Sequence, residues 1–306
     1  MCTFVETPDV KLLIDAGVAL GPRSRRLPHP REYQARNECR ARIRTYAAKA
    51  DAVVISHYHN DHHTPNYTEN VWLGSSADEA EEIYREKTVL AKDIRNAINF
   101  NQRRRGWMFQ RFVKRIGSRC EIADGKSFDF GSTRIMLSQP VPHGENSSGL
   151  GWVLMTCVRS GEETFLHASD VQGPMSEETT KMILQEKPDF LVLGGPPTYL
   201  EGVRVGQASI RAGIENAARI ASRTPIVLFE HHILRSEEWR EHSKPVYDAA
   251  SSAEHSVMTA AEYLKRPIML LESQRERLYE EEAPSPEFVK WTELHREKRR
   301  LQNPPV

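Results

Sequence analysis

One short stretch of the chain carries a high density of side chains that bind metals. Residues 52–66, AVVISHYHNDHHTPN, place four histidines and one aspartate within seven positions, directly after an apolar run. In an extended chain, side chains two residues apart point the same way, so His57 and His59 can converge on one ion where a strand ends. Asp61 and His62 follow after a turn and can reach a second ion. The stretch therefore predicts half of a dinuclear metal site.

The missing ligands are predicted at the ends of other apolar runs. His143 lies in QPVPHGENSSG, Asp170 lies in FLHASDVQGP, and IVLFEHHILR offers His231 and His232. Each candidate lies where a strand would bring a loop to one edge of a sheet. A lone buried histidine is more often a hydrogen-bonded structural residue than a ligand, but the accompanying cluster favours ligation. Imidazole and carboxylate suit zinc, although iron and manganese accept similar ligands.

Short strands alternating with helices would position these residues. Near-continuous apolar runs are typical of interior strands; they are VKLLIDAG, DAVVISH, VWLG, TRIMLSQPVPHG, LGWVLMTCV, ETFLHASD, DFLVLGG and PIVLFEHH. Helical patterns lie between some of them: residues 31–49, SEETTKMILQEK with Ser176 as the expected N-cap, and QASIRAGIENAARIASR. Such alternation indicates an α/β layered fold with buried sheets.

The sequence predicts one domain spanning residues 1–306, with two added regions. Residues 76–118 form a long charged segment between strand-rich stretches and are expected to be a helical insertion. Residues 285–303 are expected to form a C-terminal helix with a polar outer face. Internal repeats, low-complexity tracts and a dividing linker are not visible.

Composition predicts an ordinary water-soluble protein that acts on a small molecule rather than on nucleic acid. Of 306 residues, 42 are Lys or Arg and 42 are Asp or Glu, so no overall field attracts nucleic acid or membrane. Neither a run of about 18 apolar residues nor a signal peptide is visible. The cysteines are far apart without a CxxC pair, which predicts reduced thiols in the cytoplasm. An oligomer is compatible with the sequence.

The motif HYHNDH resembles the HxHxDH signature of the metallo-β-lactamase superfamily. The later histidine, aspartate and histidine follow in that family's order, so the resemblance covers roughly residues 10–235 apart from 76–118. SHYHNDHHTP, SDVQGP and EHHILR resemble more narrowly an uncharacterised, mainly archaeal branch of predicted metal-dependent hydrolases. The resemblance implies an αββα sandwich carrying two divalent metal ions, most simply zinc, with iron or manganese as alternatives.

The resemblance also implies how the ligands divide between two metals. The first set is His57, His59 and His143; the second set is Asp61, His62 and a late histidine, with Asp170 bridging both. His231 is preferred as the late ligand, with His232 as the alternate. In related nucleases that ligand follows an apolar run and one polar residue, with an arginine four residues later, and Glu230 and Arg235 fit that frame.

Two further residues are expected to support the metal site without ligating. Asp15, which ends the run LLIDAG, matches the family's early aspartate, which hydrogen-bonds to the ligands. A turn cap before Gly17 is the alternative reading of Asp15. His63, directly after the motif, is expected beside the ligands or at the surface.

The implied chemistry is hydrolysis by a water or hydroxide activated between the two metals, with Asp61 and Asp170 as catalytic residues. Phosphoester, ester or lactone, and thioester substrates are all compatible. A nuclease acting on RNA or DNA is one alternative. Its relatives with a large extra domain carry it between the bridging aspartate and the late histidine, an interval of only 61 residues here (231 minus 170). A di-iron or mononuclear iron oxidoreductase and a non-catalytic, metal-stabilised binding protein are the others.

Three segments bear on the substrate. Residues 103–115, RRRGWMFQRFVKR, interleave basic and aromatic side chains, which fits either nucleic-acid binding or, as favoured here, a packed aromatic face with a solvated basic face. The arginines of GPRSRRLPHPR can recognise an anion at the mouth of the site or form an ordinary exposed loop. Tyr199 in LGGPPTYLEG can point into the pocket or belong to a structural turn.

Overall fold

The computed structural model describes residues 1–23, 25–146 and 149–306. The strands are β1 (Thr3–Glu6), β2 (Lys11–Ile14), β3 (Ala52–Ile55), β4 (Thr88–Ala91), β5 (Arg119–Ile122), β6 (Ser127–Phe130), β7 (Thr133–Leu137), β8 (Val141–Pro142), β9 (Trp152–Val153), β10 (Thr156–Ser160), β11 (Glu163–His167), β12 (Phe190–Gly194), β13 (Ile226–Glu230) and β14 (Ser256–Met258). The α-helices are α1 (Pro30–Ala47), α2 (Ala77–Tyr84), α3 (Phe100–Arg115), α4 (Glu177–Glu186), α5 (Gln207–Ala221), α6 (Trp239–Ser252), α7 (Ala260–Tyr263), α8 (Arg275–Glu281), α9 (Pro286–Glu293) and α10 (Arg296–Leu301).

Two sheets face each other at the centre of the fold. The first has the strand order β1-β2-β3-β4-β5, in which β2 to β5 run parallel and β1 is antiparallel. The second has the order β14-β13-β12-β11-β10-β7-β6, parallel from β14 to β11 and antiparallel beyond. Strands β8 and β9 form a separate antiparallel pair. The candidate ligands follow the carboxyl ends of β3, β8, β11 and β13.

Three apolar clusters hold the layers together. One lies between the sheets and joins Ile14 and Val54 of the first sheet to Ile135 and Val158 of the second. Because strand residues alternate sides, Val53 and Ile55 face the other way and pack with α1, α2 and α3 through Ile43, Ile83 and Phe109. Leu191 and Val227 pack likewise with α4, α5 and α6 through Ile183, Ala217 and Val246. This helix–sheet–sheet–helix order confirms the predicted αββα sandwich.

The three predicted helices are confirmed. In α1, Ile43 and Ala47 are buried, whereas Tyr46 lies at the edge of the buried stripe and is 41% exposed. Ser176 caps α4, since its side chain accepts a hydrogen bond from the backbone N–H of Thr179. The segment QASIRAGIENAARIASR forms α5 over Gln207–Ala221.

The expectation of an all-helical segment at 76–118 was wrong. Helices α2 and α3 lie within it, but β4 separates them and pairs with both β3 and β5 inside the first sheet. The apolar run of β4 is only four residues long and is flanked by Lys87 and Lys92, so the surrounding charge concealed it. The assignment of the whole chain to one domain stays a prediction.

Two other expected elements differ from the structure. The run VWLG forms no strand; instead the backbone N–H groups of residues 71–73 donate hydrogen bonds to the Glu69 carboxylate. The segment 285–303 contains two helices, α9 and α10, because the chain is extended at Leu294, with ψ of 146°. Phe288 and Trp291 of α9 pack on Tyr33 of α1.

Among the described residues, the helices are all too short or too polar to cross a bilayer. Cytoplasmic location and oligomeric state stay predictions.

Candidate metal centre

The chain after β3 presents two imidazoles on one side and a tyrosine on the other. Nε2 of His57 lies 3.1 Å from Nδ1 of His59. Tyr58 points away from both, as the alternation of an extended chain requires. The Tyr58 hydroxyl donates to the Lys92 carbonyl and accepts from the side chain of Gln110 on α3. Helix α3 therefore holds the segment from behind, while the imidazoles face the opposite way.

A first group of donor atoms consists of His57, His59, His143 and Asp170, whose nitrogen and oxygen atoms lie within 4.8 Å of one another. Nε2 of His143 is 3.1 Å from Oδ2 of Asp170, and Nε2 of His57 is 3.8 Å from the same oxygen. Strand β3, the β8–β9 pair and the loop after β11 bring these side chains together. The sequence predicted this set.

A second group shares Asp170 with the first and adds Asp61, His62 and His231, again within 4.8 Å. Nε2 of His62 lies 3.1 Å from Oδ2 of Asp170, and Nε2 of His231 lies 3.1 Å from Oδ1. Oδ2 of Asp61 is 3.8 Å from His62 Nε2 and 3.6 Å from His231 Nε2. Oδ2 of Asp170 therefore lies beside imidazoles of both groups and Oδ1 beside His231, so this carboxylate could contribute to both.

Several donor atoms are buried without a hydrogen-bond partner among the described residues. They are Nε2 of His62, His143 and His231, together with Oδ1 of Asp170. Buried polar atoms are almost always paired in folded proteins, so a cluster of unpaired donors that face one another needs an explanation. Imidazole nitrogens and carboxylate oxygens are the donors that zinc, iron and manganese accept, so these residues fit divalent metal ions.

The pKa values of the clustered histidines differ: those of His57 and His59 are lowered, whereas that of His62 is raised. Burial, together with the neighbouring imidazoles, lowers the pKa of His57 well below its usual value and that of His59 to about 3. Both are therefore neutral, which is the form that binds metal. Burial acts in the same direction on His62, but Asp170, Asp15 and Asp61 outweigh it and raise its pKa to about 10. Without cations, that imidazole carries the positive charge that balances the carboxylates.

The carboxylates of the cluster are held ionised. Burial disfavours the charge of Asp170, but His231, His62 and His143 hold its pKa well below the usual value. Burial likewise opposes the charge of Asp61, but His62 and His231 keep the pKa of this carboxyl low. The centre therefore offers two carboxylates to incoming cations.

Asp15 lies behind the donor residues and contacts His62 and Ser56. Its carboxylate accepts hydrogen bonds from the Ser56 N–H at 2.8 Å, the Ser56 hydroxyl at 2.6 Å and Nδ1 of His62 at 2.7 Å. A third potential metal group, Asp15 with His57 and His62, is geometrically possible. Both Asp15 oxygens already accept hydrogen bonds, so this carboxylate orients His62 and Ser56.

His63 is buried rather than at the surface. Its Nδ1 donates to the carbonyl of His59 at 2.9 Å, and its ring packs edge-on against Phe109 of α3. His63 therefore stabilises the loop that carries the second donor group.

Sequence reasoning missed three polar residues that contact the ligands. Ser56 lies 2.9 Å from Nδ1 of His57, and the amide nitrogens of Gln102 and Gln172 lie 3.4 Å from His59 and His143. Only the position of Ser56, directly before the motif, could have indicated from the sequence that it contacts the candidate ligands. Gln102 and Gln172 reach the histidines from α3 and from the loop after Asp170.

The loop of residues 57–63 carries four of the candidate donor residues and is called the metal-binding loop. Gly17 allows this loop to approach the turn after β2. A Cβ atom at this position would lie 2.7 Å from the backbone carbon of His62 and 2.8 Å from that of Asp61. Real side chains essentially never come so close to backbone, so a larger residue would displace the loop.

A cavity of about 490 Å³ opens onto both donor groups. Its lining includes Asp61, His143 and Asp170 and, from beyond the donors, His232, Arg235 and Arg204. His232 lies farther from Asp170 than His231 does, with Nε2 3.9 Å from Oδ1. Its Nδ1 is 3.3 Å from the Tyr199 hydroxyl. His231 belongs to the second donor group and His232 does not, although Nε2 of both is buried without a hydrogen-bond partner among the described residues.

Sequence comparison places the chain among archaeal proteins. It is 40% identical over 281 residues to a UPF0282 protein of Korarchaeum cryptofilum, covering 92% of this chain and 90% of that protein. It is 38% identical over 283 residues to a UPF0282 protein of Methanopyrus kandleri, covering 92% of this chain and 95% of that one. The chain belongs to the UPF0282 family. No protein-family model matches it.

Solved structures resemble this UPF0282 protein at low sequence identity. An isothiocyanate hydrolase from Delia radicum gut bacteria superposes with a TM-score of 0.52 at 16% identity, over 84% of this chain and 92% of that one. CmlA, a diiron β-hydroxylase from Streptomyces venezuelae, gives 0.52 at 14% identity, over 84% of this chain and 51% of that one. These likenesses show the fold alone. The UPF0282 chain therefore shares its fold with these two proteins, and the relatives named above are archaeal, as its motifs predicted.

The arginines of the segment GPRSRRLPHPR in this UPF0282 protein mostly contact the C-terminal part of the chain. Arg26 lies over the Tyr279 ring, and Arg31 pairs with Glu282. Unlike Arg26 and Arg31, Arg23 contacts a residue of the cavity beside the donor groups, since its guanidinium donates to the Arg235 carbonyl at 2.9 Å.

Proposed function

We propose that the protein is a metal-dependent hydrolase with a dinuclear centre, most simply of zinc, with iron or manganese as alternatives. The observation that carries this proposal is the pair of donor groups sharing Asp170. His57, His59 and His143 would hold one ion, Asp61, His62 and His231 the other, and Asp170 both. Two bound divalent ions would supply an activated water at neutral pH and polarise the bond to be cleaved.

Within this proposal, the Asp61 carboxylate would orient the attacking water by accepting a hydrogen bond from it. Both aspartates line the cavity, but the Asp61 side chain is 26% exposed whereas that of Asp170 is buried. Arg235 approaches Asp61 to 3.9 Å between Nη2 and Oδ2, and Glu272 pairs with the same arginine at 3.4 Å. The ion pairs hold Arg235 in place and keep the Asp61 carboxylate charged.

The charge of the cavity wall supports an anionic substrate, a phosphoester before a lactone or thioester. Beyond the donor groups, the cavity wall carries Arg204, Arg235 and His232 against the single carboxylate of Glu145, while bound cations would offset the Asp61 and Asp170 carboxylates. Guanidinium groups bind phosphate oxygens through paired hydrogen bonds, which neutral lactones do not offer. A volume of about 490 Å³ suits a small-molecule ligand.

The decisive experiment combines metal analysis with a substrate panel. The purified protein is expected to retain about two divalent ions per chain and to hydrolyse bis(4-nitrophenyl) phosphate, with activity lost to EDTA and restored by zinc. A lactone, an acyl thioester and labelled RNA and DNA form the other arms. A protein that holds no transition metal under these conditions would refute the proposal.

A matched pair of variants tests the substrate class. Arg204→Gln is expected to raise KM for the phosphodiester several-fold because it removes a cationic side chain from the cavity wall. Arg211→Gln, on the exposed face of α5, is the control and should change nothing. Turnover of lactones alone would overturn the phosphoester assignment. Nuclease activity or tightly bound iron with a coloured protein would favour the corresponding alternative.

A further inference from the structure

A second cavity lies on the other side of the metal-binding loop. It has a volume of about 840 Å³, larger than the 490 Å³ beside the donors. Asn60 and His63 line this second cavity, whereas their neighbours His59 and Asp61 line the first. The two cavities therefore share one loop and open on opposite faces of it. We call the second cavity the arginine groove.

Five arginines from two distant parts of the chain converge on the arginine groove. Arg104 and Arg105 come from α3, and Arg296, Arg299 and Arg300 come from α10. Within the described residues, none of the five forms an ion pair with a carboxylate, although many other arginines of this chain do. In a chain with equal numbers of acidic and basic residues, such an unneutralised set is a local excess of positive charge.

The one acidic residue among those lining the groove does not neutralise it. Both oxygens of the Glu69 carboxylate accept hydrogen bonds from the backbone N–H groups of Val71, Trp72 and Leu73. Its charge is therefore balanced locally by three amide dipoles. Nη1 of Arg105 donates to the Tyr58 carbonyl and Nη1 of Arg299 to the Thr292 carbonyl, so neutral acceptors position these two cations and leave their charge available to an anion.

Two polar atoms at the groove are buried without a hydrogen-bond partner in the described part of the chain, Nε of Arg299 and Oδ1 of Asn60. Both residues line the groove, so each adds a polar side chain to its wall. The rings of Tyr67, Trp72 and Phe109 line the same cavity. Flat rings beside guanidinium groups suit a ligand that carries both a planar ring and phosphates.

We propose that the arginine groove binds a phosphorylated small molecule with a planar ring, of the nucleoside polyphosphate class. The volume matches a ligand of that size rather than a long polymer. An ordinary solvated basic face would not require two helices nearly 200 residues apart in sequence (296 minus 104 is 192) to meet around one cavity. This site is separate from the metal centre and does not rest on the proposed hydrolase function.

The test is ATP binding by the full-length, metal-loaded protein, measured by calorimetry. Arg104→Gln with Arg300→Gln removes two groove charges, and both side chains are exposed, so folding should be preserved. Arg103→Gln with Lys298→Gln removes two exposed charges from the same two helices, outside the groove lining. The groove pair is expected to weaken ATP binding by at least about tenfold, and the control pair by less than about twofold.

Further arms separate the possible sources of a signal. Triphosphate and adenosine should each bind more weakly than ATP, since each offers half of the recognised chemistry. A His143→Ala variant, altered at the metal centre, should keep the ATP affinity, and loss of affinity there would place ATP at the metals and overturn the proposal. Equal weakening in both charge pairs, or no ATP binding at millimolar concentration, would also overturn it. Groove-dependent binding of a single-stranded oligonucleotide without ATP binding would replace it with a nucleic-acid site.

Discussion

Asp15 and His62 are joined by a hydrogen bond of 2.7 Å between Oδ2 and Nδ1. Both side chains are fully buried, and the bond leaves Nε2 of His62 facing Asp170 at 3.1 Å. The aspartate therefore determines which nitrogen of the imidazole enters the donor cluster. A partner of this kind raises the basicity of a ligand and fixes its ring.

Replacing Asp15 should weaken metal binding without unfolding the protein. In Asp15→Asn, the amide oxygen can still accept from Ser56, but the negative charge beside His62 is lost. The affinity for the ion at the second donor group should fall by about 10–100-fold, as measured by competition with a chromophoric chelator. Asp9→Asn, which alters an exposed carboxylate bonded to Ser132, is the control. Unchanged affinity in Asp15→Asn would mean that the bond is structural only.

Metal removal should lower thermal stability. Ligands that bind only the folded state stabilise it by about 2.7 kcal/mol at a hundredfold excess over Kd. Chelation should therefore lower the Tm, and zinc should restore it. His143→Ala should show a much smaller shift, because the first donor group loses a member, while exposed His295→Ala should behave as wild type. An equal zinc-dependent shift in His143→Ala would contradict its assignment.

Substitutions of the adjacent residues His231 and His232 should have different effects on metal content. His231→Ala removes a member of the second donor group and should reduce bound metal towards one ion per chain by elemental analysis. His232→Ala leaves that group intact, so metal content should hold while KM for an anionic substrate rises. The reverse pattern of metal loss would make His232 the ligand.

Gly17→Ala should displace the metal-binding loop. The added methyl group would meet backbone atoms of His62 and Asp61, which cannot move as a flexible side chain would. We expect a loss of about 1–3 kcal/mol in the free energy of unfolding and weaker metal retention. Gly21→Ala is the matched control, since its nearest neighbour, Glu272, would be at 3.7 Å. Equal stability of the two variants by urea unfolding would show that the loop adapts.

A buried ion pair joins α8 to α1. Nε and Nη2 of Arg275 each lie 2.8 Å from the Glu32 carboxylate, and both side chains are buried. Arg275→Met leaves the buried Glu32 carboxylate without a cationic partner, although the His29 N–H still donates to it, and should cost about 3–5 kcal/mol, with partial recovery when Glu32→Gln is added. Arg277→Met breaks an exposed pair with Glu237 and should cost less than about 1 kcal/mol. Similar losses in both single variants would contradict this difference.

Much of the fold followed from the apolar runs, because strands covered on both faces need little polar alternation. The strands β2, β3, β12 and β13 coincide with such runs. Strand β4 escaped detection because its neighbours in sequence are charged and helical, although its neighbours in space are β3 and β5. Its assignment depends on strand pairing, which single-sequence patterns do not contain.

The donor residues were predictable because each follows an apolar run, and four of them lie within one short motif. The polar residues around them were not. Gln102 is 43 residues from His59 in sequence, and no local pattern relates the two. Gly17 is a similar case, since its requirement comes from the backbone of another segment. Long-range contacts determine such residues.

Tyr58 and Gly106 link the imidazoles to the outer layer of the molecule. A Cβ atom at Gly106 would lie 2.5 Å from the Tyr58 ring, so the helix rests directly on the aromatic face. Since Tyr58 shares one short backbone segment with His57 and His59, pressure on its ring would turn both neighbours. A larger side chain at buried Gly106 would therefore reorient both imidazoles without replacing any residue of the two donor groups.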